Sequence, residues 1–341
     1  MTTTRSISHS EVSSALDCQV RHAFQYTGQL TDGDTLKPHS TAMPLREGRA
    51  WGRAVAAWHE HHDLETAGEH ARVALEIALS LDAADQQKAG VYDPDEHTAL
   101  AERLTAILED YTATAEHLPL TRLEHELYVA IPSRTGRRAS TRYRLGAFLD
   151  GVHTDDQGRD WIVEFKLRKR LTSYDMIAKA RQTRWYAWAW RRETGRPVAG
   201  VIVEERLNEV PPEVRLNQDR SPSKVQSCRP EAYLAAFENT LRDPDEEVLA
   251  KLEQKRWQHR TPLLLTEREL DEAGHQLASA GMLIHQLDTG LLYPVRNPSP
   301  MRCPGCAFKD ACTDPTDTDL IDAMYRRTTP KRNRGELAHA A

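Results

Sequence analysis

The strongest constraint on the fold is the order of periodic segments in the middle of the chain. Three short runs with β-type patterning lie within residues 123–168 and are separated by polar or glycine-containing turns. A helical pattern follows over residues 173–193, and the next run, PVAGVIVEER, is typical of a buried strand. The order β-β-β-α-β predicts an α/β fold whose mixed sheet is flanked by helices.

Helical patterns lie on both sides of this predicted core. Those before it cover residues 45–61, 67–81 and 98–117, and those after it cover residues 231–290. The chain is therefore divided into an N-terminal segment, a helical region, the core, a loop and helical region, and a C-terminal segment with a basic tail. Their predicted bounds are 1–42, 43–118, 119–210, 211–300 and 301–341.

The charge distribution is uneven along the chain. The 45 Lys and Arg against 51 Asp and Glu give a net charge of -6, which argues against general coating of a polyanion. Residues 166–196 nevertheless contain ten Lys or Arg and only two acids, which indicates either a basic groove or a solvated helix face. The start, MTTTRSISHSEVSS, lacks the apolar stretch of a signal peptide, and no run of about 18 apolar residues occurs, so we expect a cytoplasmic protein.

The cysteine spacing indicates a metal site. Cys303, Cys306 and Cys312 form C-x2-C-x5-C, and the fourth ligand is either Cys18 or Cys228. We favour Cys18, because it lies in a predicted amphipathic helix that delivers its thiol from a fixed direction, whereas Cys228 lies in a loop-like segment. Such a site would join the two ends of the chain. The spacing alone leaves zinc and a [4Fe-4S] cluster open.

A predicted hairpin brings two carboxylates together. If the turn HTDDQGR is centred on Gln157, Asp150 lies directly opposite Glu164. Strand alternation puts Glu164 and Lys166 on one face and turns Phe165 toward the core on the other. Opposed carboxylates favour a hard divalent cation between them, and Lys166 would stand beside it. The alternative is a solvated sheet face on which Lys166 simply pairs with Glu164.

These residues resemble a known family. G-x3-D-x13-E-x-K in GAFLDGVHTDDQGRDWIVEFK, followed by Q-x3-Y in QTRWY, resembles the PD-(D/E)XK nuclease superfamily and specifically its RecB-like branch. One cysteine before this core and three after it are similar to the iron-sulfur subset of that branch. That subset includes the CRISPR-associated RecB-like exonucleases, the AddB nuclease domain and exonuclease V. In its length, the chain resembles a stand-alone enzyme of the CRISPR-associated or phage-exonuclease kind.

The resemblance implies a restriction-endonuclease-like fold and a metal-dependent DNA exonuclease that acts on single-stranded ends with Mg²⁺ or Mn²⁺ and carries a [4Fe-4S] cluster. It assigns metal binding to Asp150, Glu164 and the carbonyl of Phe165, and catalysis to Lys166. Gln182 and Tyr186 match the helix motif that steadies the site. Glu124 or Glu126 matches an acid on the preceding strand. The cluster ligands it implies are Cys18, Cys303, Cys306 and Cys312.

One family motif is not matched. In REGRAWGRAVAAWHEHHD the positions four residues after Gly48 and Gly52, where the family's G-x3-H motif would have histidine, are Gly52 and Ala56. His59 is the nearest substitute, and we predict that it is a metal ligand, the alternative being a packing residue. Arg181 and Arg184 are predicted to contact the DNA backbone.

Three tryptophans follow these arginines, and we expect Trp185, Trp188 and Trp190 to be core residues rather than stacking platforms for bases. Two other functions stay open at this point. One is a catalytically silent DNA-binding protein of the same fold, and the other is a zinc-stapled scaffold without catalysis.

Overall fold

The computed structural model describes residues 4–61, 63–133, 138–238 and 242–330. The strands in these residues are β1 (Arg5–Ser8), β2 (Thr35–Pro38), β3 (Arg122–Pro132), β4 (Ala139–Thr154), β5 (Asp160–Arg168), β6 (Val198–Leu207), β7 (Gln258–Leu264) and β8 (Tyr325–Thr328). The helices are α1 (His9–Asp17), α2 (Gln19–His22), α3 (Met43–Glu60), α4 (Leu64–Ala89), α5 (Pro94–Thr114), α6 (Tyr174–Ala178), α7 (Arg181–Thr194), α8 (Pro230–Ala235), α9 (Glu246–Gln254), α10 (Glu267–Asp288), α11 (Lys309–Thr313) and α12 (Thr318–Met324). A π-helical turn, Ala23–Thr27, continues α2.

A six-stranded mixed sheet forms the centre of the fold. β4 pairs antiparallel with β3 along one edge. Along the other edge, its first part pairs parallel with β1 and its last part antiparallel with β5. β6 is parallel to β5, and β7 closes that side antiparallel to β6. The predicted α/β fold with a mixed sheet is therefore confirmed.

Helices cover both faces of the sheet, because β5 carries apolar side chains on both. Ile162 packs into a core formed with α1, α7 and α10, whereas Val163 and Phe165 pack against α3, α4 and α5. Trp185, Trp188 and Trp190 are all buried in the first of these cores. Their assignment as core residues is confirmed. None of the helices in the described part of the chain has the length and apolar composition that a membrane crossing requires.

Several boundaries differ from the predictions. The expected helix over residues 173–193 is broken at Lys179 and Ala180 into α6 and α7. The region 231–290, predicted to be helical, contains β7, in which buried Thr261 and Leu263 alternate with exposed Pro262 and Leu264. This period of two indicates a strand, and a proline is tolerated there because β7 is an edge strand.

The two ends of the chain lie together. β2 and β8 form a two-stranded antiparallel sheet that pairs residues 35–38 with residues 325–328. Phe24 stacks on Phe308 at 6.2 Å, and Phe308 stacks on Tyr325 at 5.8 Å between ring centroids. These protein contacts hold the two terminal segments against each other.

Candidate active site

The hairpin of β4 and β5 positions the two predicted carboxylates. The ladder ends at the pair of Gly151 and Val163, and Asp150 and Glu164 are the adjacent residues just beyond it on the two strands. The backbone N–H of Phe165 donates a hydrogen bond of 2.9 Å to Asp150 Oδ2. The register predicted from the turn is confirmed, and it results from the tight turn at residues 155–158, where Asp155 accepts backbone hydrogen bonds from Gln157 and Arg159.

Glu164 is buried, with 1% of its surface exposed. Its Oε2 accepts hydrogen bonds from Lys166 Nζ at 2.6 Å and from Gln182 Nε2 at 3.2 Å. Its buried Oε1 accepts no hydrogen bond from any described residue. Burial raises the pKa of Glu164 to about 7, with Lys166 opposing the rise and Asp150 adding to it. Such an orphaned carboxylate oxygen is costly unless a cation occupies the space beside it.

Asp150 and Lys166 complete this charge cluster. Burial raises the pKa of Asp150, while Lys166 and the Phe165 N–H partly offset the rise. Burial alone would lower the pKa of Lys166, but the carboxylates of Glu164 and Asp150 outweigh it and raise the pKa overall. Lys166 therefore remains an ammonium group between two carboxylates that burial has made less acidic.

Helix α7 adds the predicted Gln182 and Tyr186. Gln182 holds Glu164 through the hydrogen bond described above, and burial together with the Glu164 carboxylate raises the pKa of Tyr186 to about 12. The phenol is therefore neutral at physiological pH. Both side chains lie on one face of the helix because they are four residues apart.

Two residues at this site were missed by the sequence analysis. His9, at the start of α1, lies 5.5 Å from Trp185 and 6.3 Å from Tyr186 between ring centroids. Burial and the nearby Lys166 lower its pKa to about 4, so it is neutral. Arg168 is held by Glu205, whose carboxylate accepts from Arg168 Nε at 3.2 Å. Glu205 also accepts hydrogen bonds from the backbone and hydroxyl of Thr172.

Two cavities meet at Lys166 and Arg168, which line both of them. One, of about 830 Å³, lies between the sheet and α3 and includes Asp150 in its wall. The other, of about 580 Å³, lies beside α1 and α7 and includes His9 and Gln182. Lys166 is therefore accessible from two sides and Asp150 from the larger cavity, whereas the buried Glu164 lines neither.

The expectation that His59 binds metal is not supported by its surroundings. His59 is fully buried and stacks on the ring of Phe165 at 5.3 Å. Its Nδ1 accepts the backbone N–H of Leu118 at 2.9 Å, and its Nε2 lies 2.9 Å from the hydroxyl of Tyr111. With both ring nitrogens engaged by the protein, no lone pair is left for a metal. His59 is a packing residue behind Phe165, which was the stated alternative.

Glu204 anchors this buried histidine. Its carboxylate lies 3.7 Å from His59 Nε2, accepts Arg260 Nε at 2.7 Å and also accepts the hydroxyl of Tyr111. Burial alone would raise the pKa of Glu204, but His59 and Arg260 outweigh it and hold the pKa at about 2. Because this value is below that of the unfolded chain, Glu204 stabilises the fold above about pH 4.5, and the contribution is lost as the pH falls toward 2.

We expect Glu204→Gln to lower the free energy of unfolding at pH 7 by about 3 kcal/mol, because one partner of a buried charge network is removed. The difference from wild type should shrink as the pH falls toward 2. Urea unfolding at pH 7 and pH 4 measures both effects, with the exposed Glu126→Gln as control. Equal stability of Glu204→Gln and wild type at pH 7 would contradict this role.

Of the remaining predicted residues, some line the two cavities and others do not. Glu124 lines the larger cavity and lies 3.5 Å from Arg53, whereas Glu126 is exposed and accepts the hydroxyl of Tyr128. Arg181 pairs with Asp17 at 2.8 Å in the wall of the smaller cavity. Arg184 instead pairs with Glu269 of α10 at 3.2 Å and lines neither of these cavities, so its surroundings do not favour the expectation that it contacts DNA.

The N-terminal Cys18 and the three C-terminal cysteines lie in one region. Cys18, Cys306 and Cys312 pack against the apolar cluster around Phe24 and Phe308. Cys303 is exposed, and its sulfur accepts the N–H of Ser299 at 3.3 Å. Burial raises the pKa of Cys312, and the thiols of Cys18, Cys306 and Cys303 add to the rise. Cys228 instead lies in a separate apolar cluster with Tyr233 and Val248.

The cysteines are not arranged as a finished metal site. Within the described residues, no three or more His, Cys, Asp or Glu side chains stand close enough together to hold a metal ion. The thiols influence one another electrostatically but would have to move closer to share a metal.

The sequence model of the PD-(D/E)XK nuclease superfamily matches residues 6–313, which is nearly the whole chain. This chain belongs to that superfamily. A search of curated proteins finds no match. Membership implies a nuclease that acts on nucleic acid, and PD-(D/E)XK nucleases typically use divalent metals such as Mg²⁺ or Mn²⁺.

The carboxylate pair of this PD-(D/E)XK nuclease fits such a metal. Two opposed carboxylates and the unpartnered Oε1 of Glu164 are hard oxygen donors, which Mg²⁺ and Mn²⁺ prefer. Ala56, at the position of the G-x3-H histidine, lines the same cavity but carries no ligand atom. The protein therefore offers carboxylate ligands and no imidazole from α3 at that position.

Proposed function

We propose that the protein is a metal-dependent deoxyribonuclease that degrades single-stranded DNA from its ends. The observation that carries the proposal is the buried Glu164, whose Oε1 accepts no hydrogen bond from any described residue, while Asp150 lies on the neighbouring strand and Lys166 donates to Oε2. We propose Asp150, Glu164 and the backbone carbonyl of Phe165 as the ligands of Mg²⁺ or Mn²⁺. A bound metal would supply the nucleophile, as a coordinated water of lowered pKa.

The side chains around the carboxylates have complementary roles in this proposal. Water adds to the phosphorus while the P–O bond to the leaving nucleotide breaks, and the leaving oxygen takes up a proton. The ammonium of Lys166 offsets the negative charge that develops on the phosphate oxygens. Gln182 holds Glu164 in place through its 3.2 Å hydrogen bond. The neutral phenol of Tyr186 lies beside Gln182 and Glu164. Arg168 and Arg181 are the cations proposed to contact the DNA backbone.

The arrangement of the cavities supports a strand substrate. Because the two cavities lie on either side of Lys166, nucleotides can extend in both directions from a phosphate at the carboxylates. Contacts with phosphates carry no base information, so we propose sequence-independent digestion.

We also propose that Cys18, Cys303, Cys306 and Cys312 bind a [4Fe-4S] cluster. Support comes from their shared region and from the separate position of Cys228. Thiolate ligands suit iron-sulfur clusters and zinc alike. The four thiols would have to move closer together to bind either one. The cluster has a structural role in this proposal.

The test is a labelled oligonucleotide assay with free and end-blocked single strands, in Mg²⁺, in Mn²⁺ and in EDTA. We expect progressive shortening of the free-ended strand with either metal, no reaction in EDTA, and slower reaction when both ends are blocked. Equal rates on blocked and free strands would contradict exonuclease action.

The second candidate is a DNA-binding protein that does not cleave DNA. Ala56 favours it, because this residue lines the cavity at a position where the family motif would have a histidine. Retained binding of the strand in Mg²⁺ without any shortening would select this candidate.

A further inference from the structure

Phe148 is exposed beside the candidate catalytic residues. It precedes Asp150 by two residues on β4, 59% of its surface is exposed, and both residues line the larger cavity. A large aromatic side chain in water gains nothing for folding, because its apolar surface stays hydrated. Its position at the mouth of a catalytic cavity therefore indicates contact with a ligand.

The same cavity has an apolar rim next to basic groups. Leu45 on α3 and Leu81 on α4 line it and are 59% and 53% exposed. Arg49 on α3 also lines this cavity and makes no ion pair with any described residue. The acids in this wall include Asp82 and Glu124, which are paired with Arg46 at 2.8 Å and with Arg53 at 3.5 Å.

The helix face beside Phe148 also leaves room. Cβ atoms at Gly48 and Gly52, both in the cavity wall, would meet no atom within 4 Å. An apolar surface, an unpaired cation and open space thus adjoin the carboxylate pair. A nucleotide presents the matching chemistry, with a flat apolar base and an anionic phosphate.

We propose that Phe148 stacks on an unpaired base of the strand whose phosphate lies at Asp150, that Leu45 and Leu81 enclose this base, and that Arg49 contacts the adjoining phosphate. This inference rests on the proposed function and specifies its substrate. Stacking on Phe148 requires a base that is free of its complementary strand, so the aromatic ring selects single-stranded ends. Because every base has a π-face, this selection is independent of sequence.

The experiment compares binding to two strands of equal length in Ca²⁺, one with normal bases and one fully abasic. Fluorescence anisotropy measures the dissociation constant for wild type, Phe148→Ala, Phe148→Trp and the control Tyr293→Ala, which removes a ring that is 76% exposed outside this cavity. We expect Phe148→Ala to weaken binding of the normal strand about tenfold. Its binding of the abasic strand should stay within about twofold of wild type, because the phosphates are retained.

Three further results are expected. Phe148→Trp restores binding of the normal strand, and Tyr293→Ala resembles wild type on both strands. Phe148→Ala should also lower the ratio of cleavage rates on single-stranded and blunt double-stranded DNA.

An equal loss on both strands would overturn stacking and would show that the substitution acts through the phosphates or the fold. Unchanged binding of both strands would equally overturn it, and a protein partner for this surface would then have to be sought.

Failure of this inference is distinguishable from failure of the proposed function. If wild type degrades the strand and Asp150→Asn does not, the nuclease proposal stands whatever Phe148→Ala does. If wild type neither binds nor degrades the strand, both proposals are wrong.

Discussion

Asp150→Asn and Glu164→Gln are each expected to abolish metal-dependent cleavage, with a rate loss of at least about a hundredfold. Each variant replaces a carboxylate with an amide of the same shape, so it removes one of the two charges that we propose as metal ligands without leaving a cavity. Single-turnover cleavage of a labelled strand at saturating enzyme measures the effect. Lys166→Met is expected to fall in the same range, because the charge on the phosphate oxygens is no longer offset.

The stability of these variants should move differently from their activity. Glu164 is buried with its Oε1 unpartnered, and burial together with Asp150 raises its pKa. A neutral amide relieves that repulsion, so Glu164→Gln is expected to unfold at a temperature equal to or above that of the metal-free wild type. This separates a catalytic role from a structural one, since a structural carboxylate would lose stability when neutralised.

Glu126→Gln is the matched control, because Glu126 is an exposed carboxylate on β3 of the same sheet. It should leave both rate and stability unchanged. Persistent degradation by the Asp150→Asn, Glu164→Gln double variant, after removal of contaminating nuclease, would place the active site elsewhere.

The part of this site that could be predicted from the sequence is the part that local rules determine. The turn HTDDQGR fixes the register of the hairpin, and the register fixes which carboxylate faces which. Helical spacing then puts Gln182 and Tyr186 on one face. These steps involve neighbours in sequence and need no knowledge of the tertiary fold.

The residues that were missed are positioned at the site by contacts with distant segments. His9 reaches the site because β1 pairs parallel with β4 across more than a hundred residues, and no local pattern encodes that pairing. Arg168 follows Lys166 by only two residues. Its side chain, however, is held in position by Glu205 of the neighbouring strand. Sequence spacing did not reveal this partner.

The two expectations that the surroundings of the residues do not favour have a related cause. Arg184 belongs to a basic helix, yet α10 presents Glu269 to it, so its charge does not face the cavities. His59 follows Ala56 by less than one helical turn, but it points to Leu118, Tyr111 and Glu204 on elements that the helix pattern alone does not place. Charge and spacing indicate which groups are available, while packing decides what they face.

Replacement of any one of the four proposed cluster cysteines by Ala is expected to remove iron from the protein. Wild type purified without oxygen should be brown, with broad absorption from thiolate-to-iron charge transfer and four irons per chain, as a [4Fe-4S] cluster requires. Iron analysis and absorption spectra of the variants at Cys18, Cys303, Cys306 and Cys312 measure the loss. Cys228→Ala is the control, since that thiol lies in a separate apolar cluster, and it should keep its iron.

The loss of the cluster should loosen the terminal segments without unfolding the sheet. A link between Cys18 and Cys303 closes a very long loop, but β2 and β8 already close a similar one through residues 35–38 and 325–328. Because the second closure removes less freedom than the first, we expect a loss of about 2 kcal/mol rather than the roughly 5–6 kcal/mol of an isolated crosslink of this length. Limited proteolysis should therefore cut the cysteine variants first between residues 296 and 313, while Ca²⁺-dependent strand binding remains. Colourless wild type with stoichiometric zinc would replace the iron-sulfur assignment with a zinc site, and iron retained by Cys18→Ala would show that another residue is the fourth ligand.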